Sequence, residues 1–498
     1  MTDITTDGDP HTTPRAEDKA LPEHGLPAAE ILEILAGLRR HDVQWGAGKV
    51  FSLVFHAGQE LTDLLKQAHG LYFAENALNP TAFPSLRKLE TEVVAMTARL
   101  LGGDETTVGT MTSGGTESIL LAVKAARDRG MARGKVRGKP EMVLPASAHP
   151  AFDKAAHYFR LKAVHIPVGG DLRADVAAMR RAITRRTVLL VGSAPSYPHG
   201  VVDPIVDLAA LAREHHLPLH VDACVGGFML PFVRELGYEV PPFDFRVPGV
   251  SSISVDLHKY GYAAKGASVI LYRNPRLRRH QFFACTDWPG GIYASPTMTG
   301  TRPGGAIAAA WAILHRLGHR GYLGIAKEVM EATRRIQAGV EEIEGIRVLG
   351  KPHMSLMALT ADHVDIYEVA DHLGERGWHL DRQQRPPSLH LTVNRAHVPS
   401  VGIFLEDLRE AVAASRKEPL HRLLDRSKLA LAGTVSRVLP TAVARRAAAR
   451  AADLMGGDGL LPRRTAAMYG MMASLPNRGD LRELVLDVLD RLTRPDNA

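Results

Sequence analysis

A lysine and an aspartate in this sequence lie in local environments that suit chemistry on a carbonyl group. Lys259, in the segment SVDLHKYGYAAKG, follows a β-rich run and precedes a turn that contains Gly261 and Gly266. A loop therefore presents its amine, and a lysine that loses its proton can form a Schiff base with an aldehyde. Asp222 ends the apolar run LPLHVDA earlier in the chain. A carboxylate in that setting needs a cation beside it, because burial of an unpaired charge is costly.

Pyridoxal 5'-phosphate (PLP) satisfies both residues. Its aldehyde suits the lysine amine, and its protonated pyridine nitrogen is a cation that an acidic residue can hold, which is a recurring design. The alternatives are a solvated surface charge for Lys259 and a helix cap or a local ion pair for Asp222.

The segment TSGGTES, residues 112–118, is typical of a turn that binds phosphate. Ser113 is the predicted N-cap of a helix, and Gly114 and Gly115 leave backbone N–H groups bare at the positive helix end. The hydroxyl of Thr116 is a further donor. Taken alone, the segment is also compatible with a plain turn.

His149, in ASAHPAF, follows the next strand, where an imidazole can stack on a flat aromatic ring. A capping or core histidine is the alternative. Phosphate-binding turn, histidine, aspartate and lysine then occur in the order of a single PLP site. A closed zinc site is disfavoured because HVDAC and the pair His215–His216 lack its ligand set. Cys224 is predicted to be a small core residue rather than a nucleophile.

Alternating helices and short apolar runs must position these residues. Amphipathic helices are predicted over 84–102 and 116–130. Strands are predicted over 141–145, 163–168, 187–193, 217–223 and 268–273. This order predicts an α/β fold with a mainly parallel sheet that is covered on both faces.

The chain divides into four predicted parts. They are a disordered tail over 1–25, an N-terminal helical segment over 26–82, a PLP-binding large domain over 83–330 and a smaller α+β domain over 331–498. The last part includes a helical insertion at about 418–460, rich in Arg and Ala, whose basic face is predicted to be solvated rather than bound to a membrane.

Composition and charge exclude several classes of protein. Of 498 residues, 45% are hydrophobic and 23% are charged, which is ordinary globular usage. The net charge of +7 comes from scattered basic residues, so nucleic acid is not an expected partner. No apolar run reaches the length of about 20 residues that spans a membrane, and the N-terminus has no secretory signal pattern. Two cysteines suit a reducing compartment, so a cytoplasmic location is expected.

The chain resembles the fold-type I PLP enzymes of the group II decarboxylase superfamily, and among them the sphingosine-1-phosphate lyases. The resemblance covers most of residues 45–490. It is carried by FPSLRKLETEVV, TSGGTESILLA, AHPAFDKAAHYF, HVDACVGGF, SISVDLHKYGYAAKG, GGIYASPTMTGTRPGG and MYGMMASLPNRG. The lysine loop together with YASPTMTGTRPGG is the part most specific to the lyases.

That resemblance implies a role for each site residue. Lys259 would hold PLP, Asp222 would pair with the pyridine nitrogen and His149 would stack on the ring. The other implied cofactor contacts are Gly114, Gly115, Thr116, His258, Gly300 and Thr301. The segment GTRPGG reaches the cofactor of the other subunit in that family, which implies a homodimer with shared active sites. The implied substrate-binding residues are Lys265, Asn79, Phe55 and Tyr293, with Lys265 meeting a substrate phosphate.

Two segments depart from the family's pattern at the substrate end. Asn79 replaces the histidine of Asn-Pro-Leu-His-Pro, while Phe55 and Leu53 replace the tyrosine and an alanine of Gly-Lys-Val-Ser-Gly-Ala-Val-Tyr. An imidazole and a phenol, both proton donors, are thereby lost near the substrate.

Two reactions are compatible with these residues. The first is PLP-dependent carbon–carbon lyase chemistry: retro-aldol cleavage of a 2-amino-3-hydroxy substrate, phosphorylated and sphingoid-base-like, to an aldehyde and a small amine. The alternative is an amino-acid decarboxylase that uses the same lysine and aspartate. Lys265 disfavours the decarboxylase, whereas Asn79 and Phe55 favour some non-sphingoid substrate. A silent binding protein is disfavoured by the intact set of Lys259, Asp222 and His149.

Overall fold

The computed structural model describes residues 21–134 and 138–417, together with a few positions between 482 and 493. Residues 45–417 form one compact unit, and residues 21–44 belong to a separate unit that contains helix α1 (Ala28–Leu38). The predicted helical insertion at about 418–460, the motif MYGMMASLPNRG and most of the predicted tail lie outside the described residues.

A seven-stranded sheet is the frame of the larger unit. Its strands are β1 (Val108–Thr112), β2 (Glu141–Pro145), β3 (Lys162–Ile166), β4 (Thr187–Ser193), β5 (Leu219–Asp222), β6 (Val250–Asp256) and β7 (Ser268–Tyr272). Their order across the sheet is β1-β7-β6-β5-β4-β2-β3. Strands β2 to β6 are parallel to one another, and β7 is antiparallel to both β6 and β1. The predicted α/β fold with a mainly parallel sheet is confirmed.

Helices cover this sheet. They are α2 (Gln59–Leu71), α3 (Pro84–Leu100), α4 (Gly115–Ala132), α5 (Ala151–Phe159), α6 (Val176–Ala182), α7 (Ile205–Glu214), α8 (Leu230–Glu235), α9 (Pro275–Arg278) and α10 (Gly304–Glu341). Strand β4, TVLLVGS, is buried along its whole length, as expected where both sheet faces are covered. Apolar side chains of α4 and α5 form one core cluster with β2 and β4.

Smaller elements complete the unit. A hairpin of β8 (Phe283–Cys285) and β9 (Tyr293–Ser295) lies between β7 and α10 in the chain. Short 3₁₀ helices of this unit span Trp45–Ala47, Arg279–Gln281 and Arg395–Ser400, and one more, Arg39–His41, belongs to the separate unit. No helix within the described residues is long and apolar enough to cross a membrane.

A second, antiparallel sheet follows α10. Its strands are β10 (Ile346–Val348), β11 (Leu356–Ala361), β12 (Asp381–Gln384) and β13 (Pro387–Thr392), in the order β10-β11-β13-β12, and two helices accompany them, α11 (Ile366–Glu375) and α12 (Val401–Lys417). The short strands and helices predicted beyond residue 330 are therefore present. Helix α10, interrupted at Gly318, runs through residue 330, so the boundary between the two predicted domains falls within a helix. That division stays a prediction.

The register of the large sheet brings three functional segments to one edge. Asp222, at the end of β5, pairs with Ser254 on β6. Asp256, at the end of β6, pairs with Ser268, which pairs in turn with Thr112 at the end of β1. The aspartate, the lysine loop and the phosphate-binding turn therefore begin side by side. In open α/β sheets, ligands bind at the carboxyl ends of the parallel strands.

Candidate active site

The amine of Lys259 forms an ion pair that the sequence analysis missed. Strand β6 ends at Asp256, and the following turn brings Lys259 Nζ to 2.9 Å from Asp256 Oδ2. Burial alone would lower the pKa of Lys259, but the surrounding negative groups, Asp256 foremost, together outweigh burial, and the pKa is raised. Burial would likewise raise the pKa of Asp256, but Lys259 and His258 hold it below its usual value. Asp256 and Lys259 are three positions apart in DLHK, and this spacing could have predicted the pair.

Asp222 offers one carboxylate oxygen to a cation. The residue ends β5 and is 8% exposed. Its Oδ1 accepts hydrogen bonds from the backbone N–H of Cys224 at 3.0 Å and from the hydroxyl of Ser254 at 3.3 Å. Within residues 21–134 and 138–417, no donor reaches Oδ2. Asp222 can therefore still accept a hydrogen bond from a protonated pyridine.

The phosphate-binding turn requires one correction. Helix α4 has Gly114 as its N-cap and begins at Gly115, whereas Ser113 was predicted as the cap. The hydroxyl and the N–H of Ser113 both donate to Glu117 Oε2 at 2.7 Å, because a carboxylate is the stronger acceptor. No side chain caps the helix. The N–H groups of the first turn, which includes Thr116, are therefore available to an anion at the positive end of an 18-residue helix.

Gly115 is required by a close approach. A Cβ at this position would lie 2.7 Å from Cys224 Sγ and 2.9 Å from both carboxylate oxygens of Asp256. The start of helix α4 therefore lies directly against the aspartate that pairs with Lys259. Cys224 itself is buried in the core cluster, and burial raises the pKa of its thiol, in agreement with a core role.

His258 lies beside the same turn. A Cβ at Gly114 would lie 3.7 Å from His258 Cε1. His258 Nδ1 donates to the carbonyl of Ala267 at 2.8 Å, and Nε2 lies 3.8 Å from Asp256 Oδ2. Burial is the main cause that lowers the pKa of His258. The structure thus brings His258 to the turn, and its contact with a phosphate stays a prediction.

His149 lies in the loop between β2 and α5. Its Nδ1 accepts a hydrogen bond from the backbone N–H of Ala151 at 3.2 Å. The imidazole therefore caps the start of α5, which is the alternative considered for this residue. The same hydrogen bond restrains the ring, and stacking on the pyridine stays a prediction.

Lys265 and Phe55 are in contact. Lys265 Nζ donates to the carbonyl of Leu53 at 2.7 Å and lies 5.8 Å from the centre of the Phe55 ring. Phe55 packs edge-on against Tyr260, with the ring centres 5.0 Å apart. Burial, followed by the positive charge of Lys259, lowers the pKa of Lys265. The two lysines therefore belong to one electrostatic environment.

Asn79 is not brought to the lysine loop. It is exposed, and its Oδ1 accepts hydrogen bonds from the N–H and hydroxyl of Thr81 and from the N–H of Ala82. The side chain is therefore engaged in its own turn. Asn76, in the same segment, donates to Thr301 Oγ1 at 3.4 Å. This segment thus contacts the predicted cofactor residue Thr301 rather than Lys259.

The segment around Gly300 is attached to the phosphate-binding turn. The backbone N–H of Met298 donates to Glu117 Oε1 at 2.8 Å. Gly300 lies next to Tyr293, because a Cβ at Gly300 would be 3.1 Å from the Tyr293 hydroxyl. Glu117 was missed from the sequence, although an acidic residue in the first turn of a helix that follows SGGT was a visible signal. It joins the two segments through one buried carboxylate.

Two further residues near Lys259 were not predicted from the sequence. Tyr197 and His390 stack with their ring centres 4.0 Å apart, and the Tyr197 hydroxyl donates to Asp381 Oδ2 at 2.7 Å. The pKa of His390 is lowered mainly by burial, and the charge of Lys259 contributes. The two residues come from PSYPHG and LHLTVN, segments whose spacing gives no indication that they meet.

Known proteins are similar in sequence to this chain over most of its length. Residues 10–361 match the family described as the pyridoxal-dependent decarboxylase conserved domain. A sphingosine-1-phosphate lyase of Arabidopsis thaliana is 44% identical over 480 residues, which cover 95% of this chain and 80% of that protein. Sphingosine-1-phosphate lyase 1 of Rattus norvegicus is 47% identical over 404 residues, covering 80% and 71%. The chain belongs to the sphingosine-1-phosphate lyase family.

A solved structure of a sphingosine-1-phosphate lyase agrees with this assignment. That enzyme, from Burkholderia pseudomallei K96243, is 43% identical with a TM-score of 0.77, covering 82% of this chain and 95% of that one. A glutamate decarboxylase of Lactobacillus brevis, 21% identical with a TM-score of 0.71 and coverage of 82% and 97%, shows the shared fold alone. The fold-type I assignment is confirmed.

As a member of the sphingosine-1-phosphate lyase family, the chain is a PLP-dependent lyase. The residues of this site fit the cofactor. Lys259 offers the amine, Asp222 has an oxygen without a hydrogen bond from the described residues, and the uncapped helix end offers N–H groups. Gly115 leaves open the space that a Cβ would fill.

Proposed function

We propose that this lyase cleaves the Cα–Cβ bond of a phosphorylated 2-amino-3-hydroxy compound of the sphingoid-base type, releasing an aldehyde and a small phosphorylated amine. The observation that carries the proposal is 44% identity, over 95% of the chain, to a protein named sphingosine-1-phosphate lyase. The geometry of Lys265 supports an anionic substrate. Its ammonium already donates to a carbonyl oxygen, and a phosphate oxygen is a stronger acceptor.

Asp222 and Lys259 prepare the cofactor end of the site. When PLP is bound, it supplies an acceptor for the electrons left at the substrate Cα. The Asp222 carboxylate favours the protonated form of the pyridine nitrogen, because an adjacent opposite charge stabilises a cation. Lys259 would hold the cofactor through its side-chain amine, which the substrate amine would displace.

Two proton transfers accompany the cleavage. The 3-hydroxyl loses its proton as the Cα–Cβ bond breaks, and Cα gains a proton afterwards. Phe55 and Asn79 have no group that accepts a proton under these conditions. The groups that remain as the base are Lys259 after its release, the cofactor phosphate or a water molecule. Asp256 raises the pKa of Lys259, so near neutral pH the released lysine holds a proton that it can give to Cα and is a poor base for the 3-hydroxyl.

We also propose a homodimer with shared active sites. Hairpin β8–β9 exposes Phe283, Trp288 and Ile292, which are 55%, 55% and 79% exposed. Apolar side chains exposed close together in the chain favour an interaction surface here, and the hairpin leads into the segment of Thr301. Mixing Lys259→Ala chains with Thr301→Ala chains should restore activity, because one hybrid site keeps both residues. A strict monomer, or no recovery despite subunit exchange, would contradict the shared site.

We place the enzyme in the cytoplasm. Cys224 and Cys285 are both free thiols, which suits a reducing compartment. Cell fractionation with a tagged chain tests this location, and recovery from an oxidising compartment would contradict it.

One assay separates the lyase from the decarboxylase. Purified holoenzyme is given phosphorylated and plain amino alcohols and amino acids, with aldehyde and CO₂ detected separately. Aldehyde from a phosphorylated 2-amino-3-hydroxy compound supports the proposal. Release of CO₂ from an amino acid without aldehyde would replace it by the decarboxylase reaction.

A further inference from the structure

A chain of hydrogen bonds connects a buried histidine to Asp222. His220 lies two residues before Asp222 on strand β5, so both side chains are on the same face of the sheet. His220 Nδ1 is 2.9 Å from Ser252 Oγ, and Nε2 is 3.2 Å from Ser254 Oγ. The Ser254 hydroxyl is 3.3 Å from Asp222 Oδ1. None of these groups has a place in the mechanism given above, except the carboxylate itself.

Parallel register produces this arrangement. His220 pairs with Ser252 and Asp222 pairs with Ser254 across β5 and β6. Each serine therefore lies beside one of the two β5 residues, and the imidazole reaches both hydroxyls. His220 is 0% exposed, and its ring packs at 5.9 Å from that of Phe152. An apolar residue would fill this volume equally well, but it would leave both serine hydroxyls without the imidazole.

The hydrogen bonds that connect Ser252, His220, Ser254 and Asp222 all donate in the same direction. The Asp222 carboxylate only accepts, so Ser254 donates to it and accepts from His220 Nε2–H. His220 Nδ1 then accepts the hydroxyl hydrogen of Ser252. Burial lowers the pKa of His220 to about 4, so the imidazole is neutral near pH 7 and carries one N–H. That N–H is committed to Ser254.

We propose that His220 is a positioning residue which, through Ser254, fixes the Asp222 carboxylate for the pyridine nitrogen of PLP. This inference rests on the role proposed for Asp222 in the lyase reaction. Ser254 and the Cys224 N–H both bind Oδ1, whereas Oδ2 receives no hydrogen bond from the described residues. The carboxylate is thus held by one oxygen and offers the other to the cofactor.

The test measures cofactor affinity rather than turnover. Holoenzyme is stripped of PLP and titrated with it, and the dissociation constant is taken from the absorbance of the bound cofactor. Ser254→Ala and His220→Phe should each weaken PLP binding by about tenfold or more, the scale of one hydrogen bond to a charged group. His220→Gln keeps an N–H donor and should recover part of the loss. Ser252→Ala leaves the segment from His220 to Asp222 intact and should change the affinity less than threefold.

A double variant separates positioning from general stability. Asp222→Asn should weaken PLP binding by itself, and adding Ser254→Ala should then have little further effect, because the carboxylate to be positioned is gone. Circular dichroism and thermal unfolding confirm that each variant is folded. Where His220→Phe does not fold, Ser254→Ala decides the question.

Failure of the positioning role of His220 can be distinguished from failure of the role proposed for Asp222. If Asp222→Asn leaves the PLP affinity unchanged, the role proposed for Asp222 is wrong, and the positioning role is overturned with it. If Asp222→Asn weakens binding but folded Ser254→Ala or folded His220→Phe binds PLP within twofold of the unmodified protein, only the positioning role is overturned. An equal loss from Ser254→Ala with and without Asp222→Asn overturns it as well.

Discussion

The ammonium of Lys259 lies 2.9 Å from Oδ2 of Asp256, the residue that ends strand β6. Asp256 is 2% exposed, so its charge needs this partner. The pairing has a chemical consequence. A lysine must lose its proton before it attacks the PLP aldehyde, and the raised pKa of Lys259 opposes that loss near neutral pH. Attachment of the cofactor should therefore depend on pH through Asp256.

Replacing Asp256 by Asn should extend PLP attachment to lower pH. The change removes the attraction that raises the pKa of Lys259, while burial, which lowers it, remains. Borohydride trapping of the cofactor on Lys259, measured from pH 6 to 9, follows the effect. An unchanged pH profile would contradict this role of Asp256.

A matched variant controls for lost stability, because removal of one partner of a buried ion pair costs about 3–5 kcal/mol. Asp244 is fully buried and paired with Arg246. Asp244→Asn should destabilise the fold similarly while leaving the pH profile of PLP attachment as it is.

Gly115→Ala should destabilise the protein, whereas Gly114→Ala should not. The added Cβ at position 115 meets Cys224 Sγ at 2.7 Å and Asp256 at 2.9 Å, whereas at position 114 the nearest atom is 3.7 Å away. We expect Gly115→Ala to lower the free energy of unfolding by about 1–3 kcal/mol, the usual cost of overpacking. Urea unfolding of both apoproteins measures this difference. Equal stability of the two variants would show that helix α4 can move away from Asp256.

The parts of the site that could be predicted from the sequence are those encoded within short segments. Lys259, Asp222 and the glycines of the phosphate-binding turn each lie next to a strand or a helix that apolar patterning reveals. Strand order then brings them together, because parallel strands place their carboxyl ends at one edge. The N-cap was assigned wrongly because Glu117 competes for the hydroxyl of Ser113.

Other parts depend on packing between distant segments. Strand β12, DRQQ, has no apolar residue, and only its pairing with β13 makes it a strand. Strand β1, VGTMT, likewise owes its place to β7. The stacking of Tyr197 on His390 joins residues almost two hundred positions apart. Patterning within a window of residues holds no information about such contacts.

Acidification should destabilise the fold. Burial lowers the pKa of His220 and of His397 to about 4. A histidine in the unfolded chain titrates near pH 6.5, so between pH 6.5 and 4 the unfolded state binds protons that the folded state does not. The free energy of unfolding should therefore decrease as the pH falls through this range, by about 3 kcal/mol for each histidine.

One buried carboxyl opposes that trend. Burial raises the pKa of Asp203 to about 6, so between pH 6 and about 4 the folded state holds a proton that the unfolded state has lost. Burial also lowers the pKa of His390 to about 4, so three histidines against one aspartate leave a net decrease of about 6 kcal/mol. Urea unfolding at pH 7, 5.5 and 4.5 measures it. A free energy of unfolding that stays constant or rises on acidification would show that these histidines become protonated without unfolding.

Lys265 should recognise a substrate phosphate without holding the cofactor. Its ammonium donates to the carbonyl of Leu53 and shares the electrostatic environment of Lys259. A charge-assisted hydrogen bond contributes about 1.5–3 kcal/mol. Lys265→Ala should therefore lower kcat/KM for a phosphorylated substrate by roughly ten- to a hundredfold, and PLP content should hardly change. Steady-state kinetics on phosphorylated and plain forms of one substrate measure the difference.

Lys49 provides a matched control for this loss. Its Nζ donates to the carbonyl of Arg376 at 2.9 Å and lies 5.2 Å from the centre of the Trp378 ring, so it makes the same two kinds of contact as Lys265. Lys49→Ala should leave the preference for the phosphorylated substrate unchanged, because this lysine is bonded to a different loop. If Lys265→Ala weakens both substrate forms equally, its contact with Leu53 is structural and the phosphate is bound elsewhere. Loss of PLP from Lys265→Ala would instead make it a cofactor residue and would favour the decarboxylase alternative.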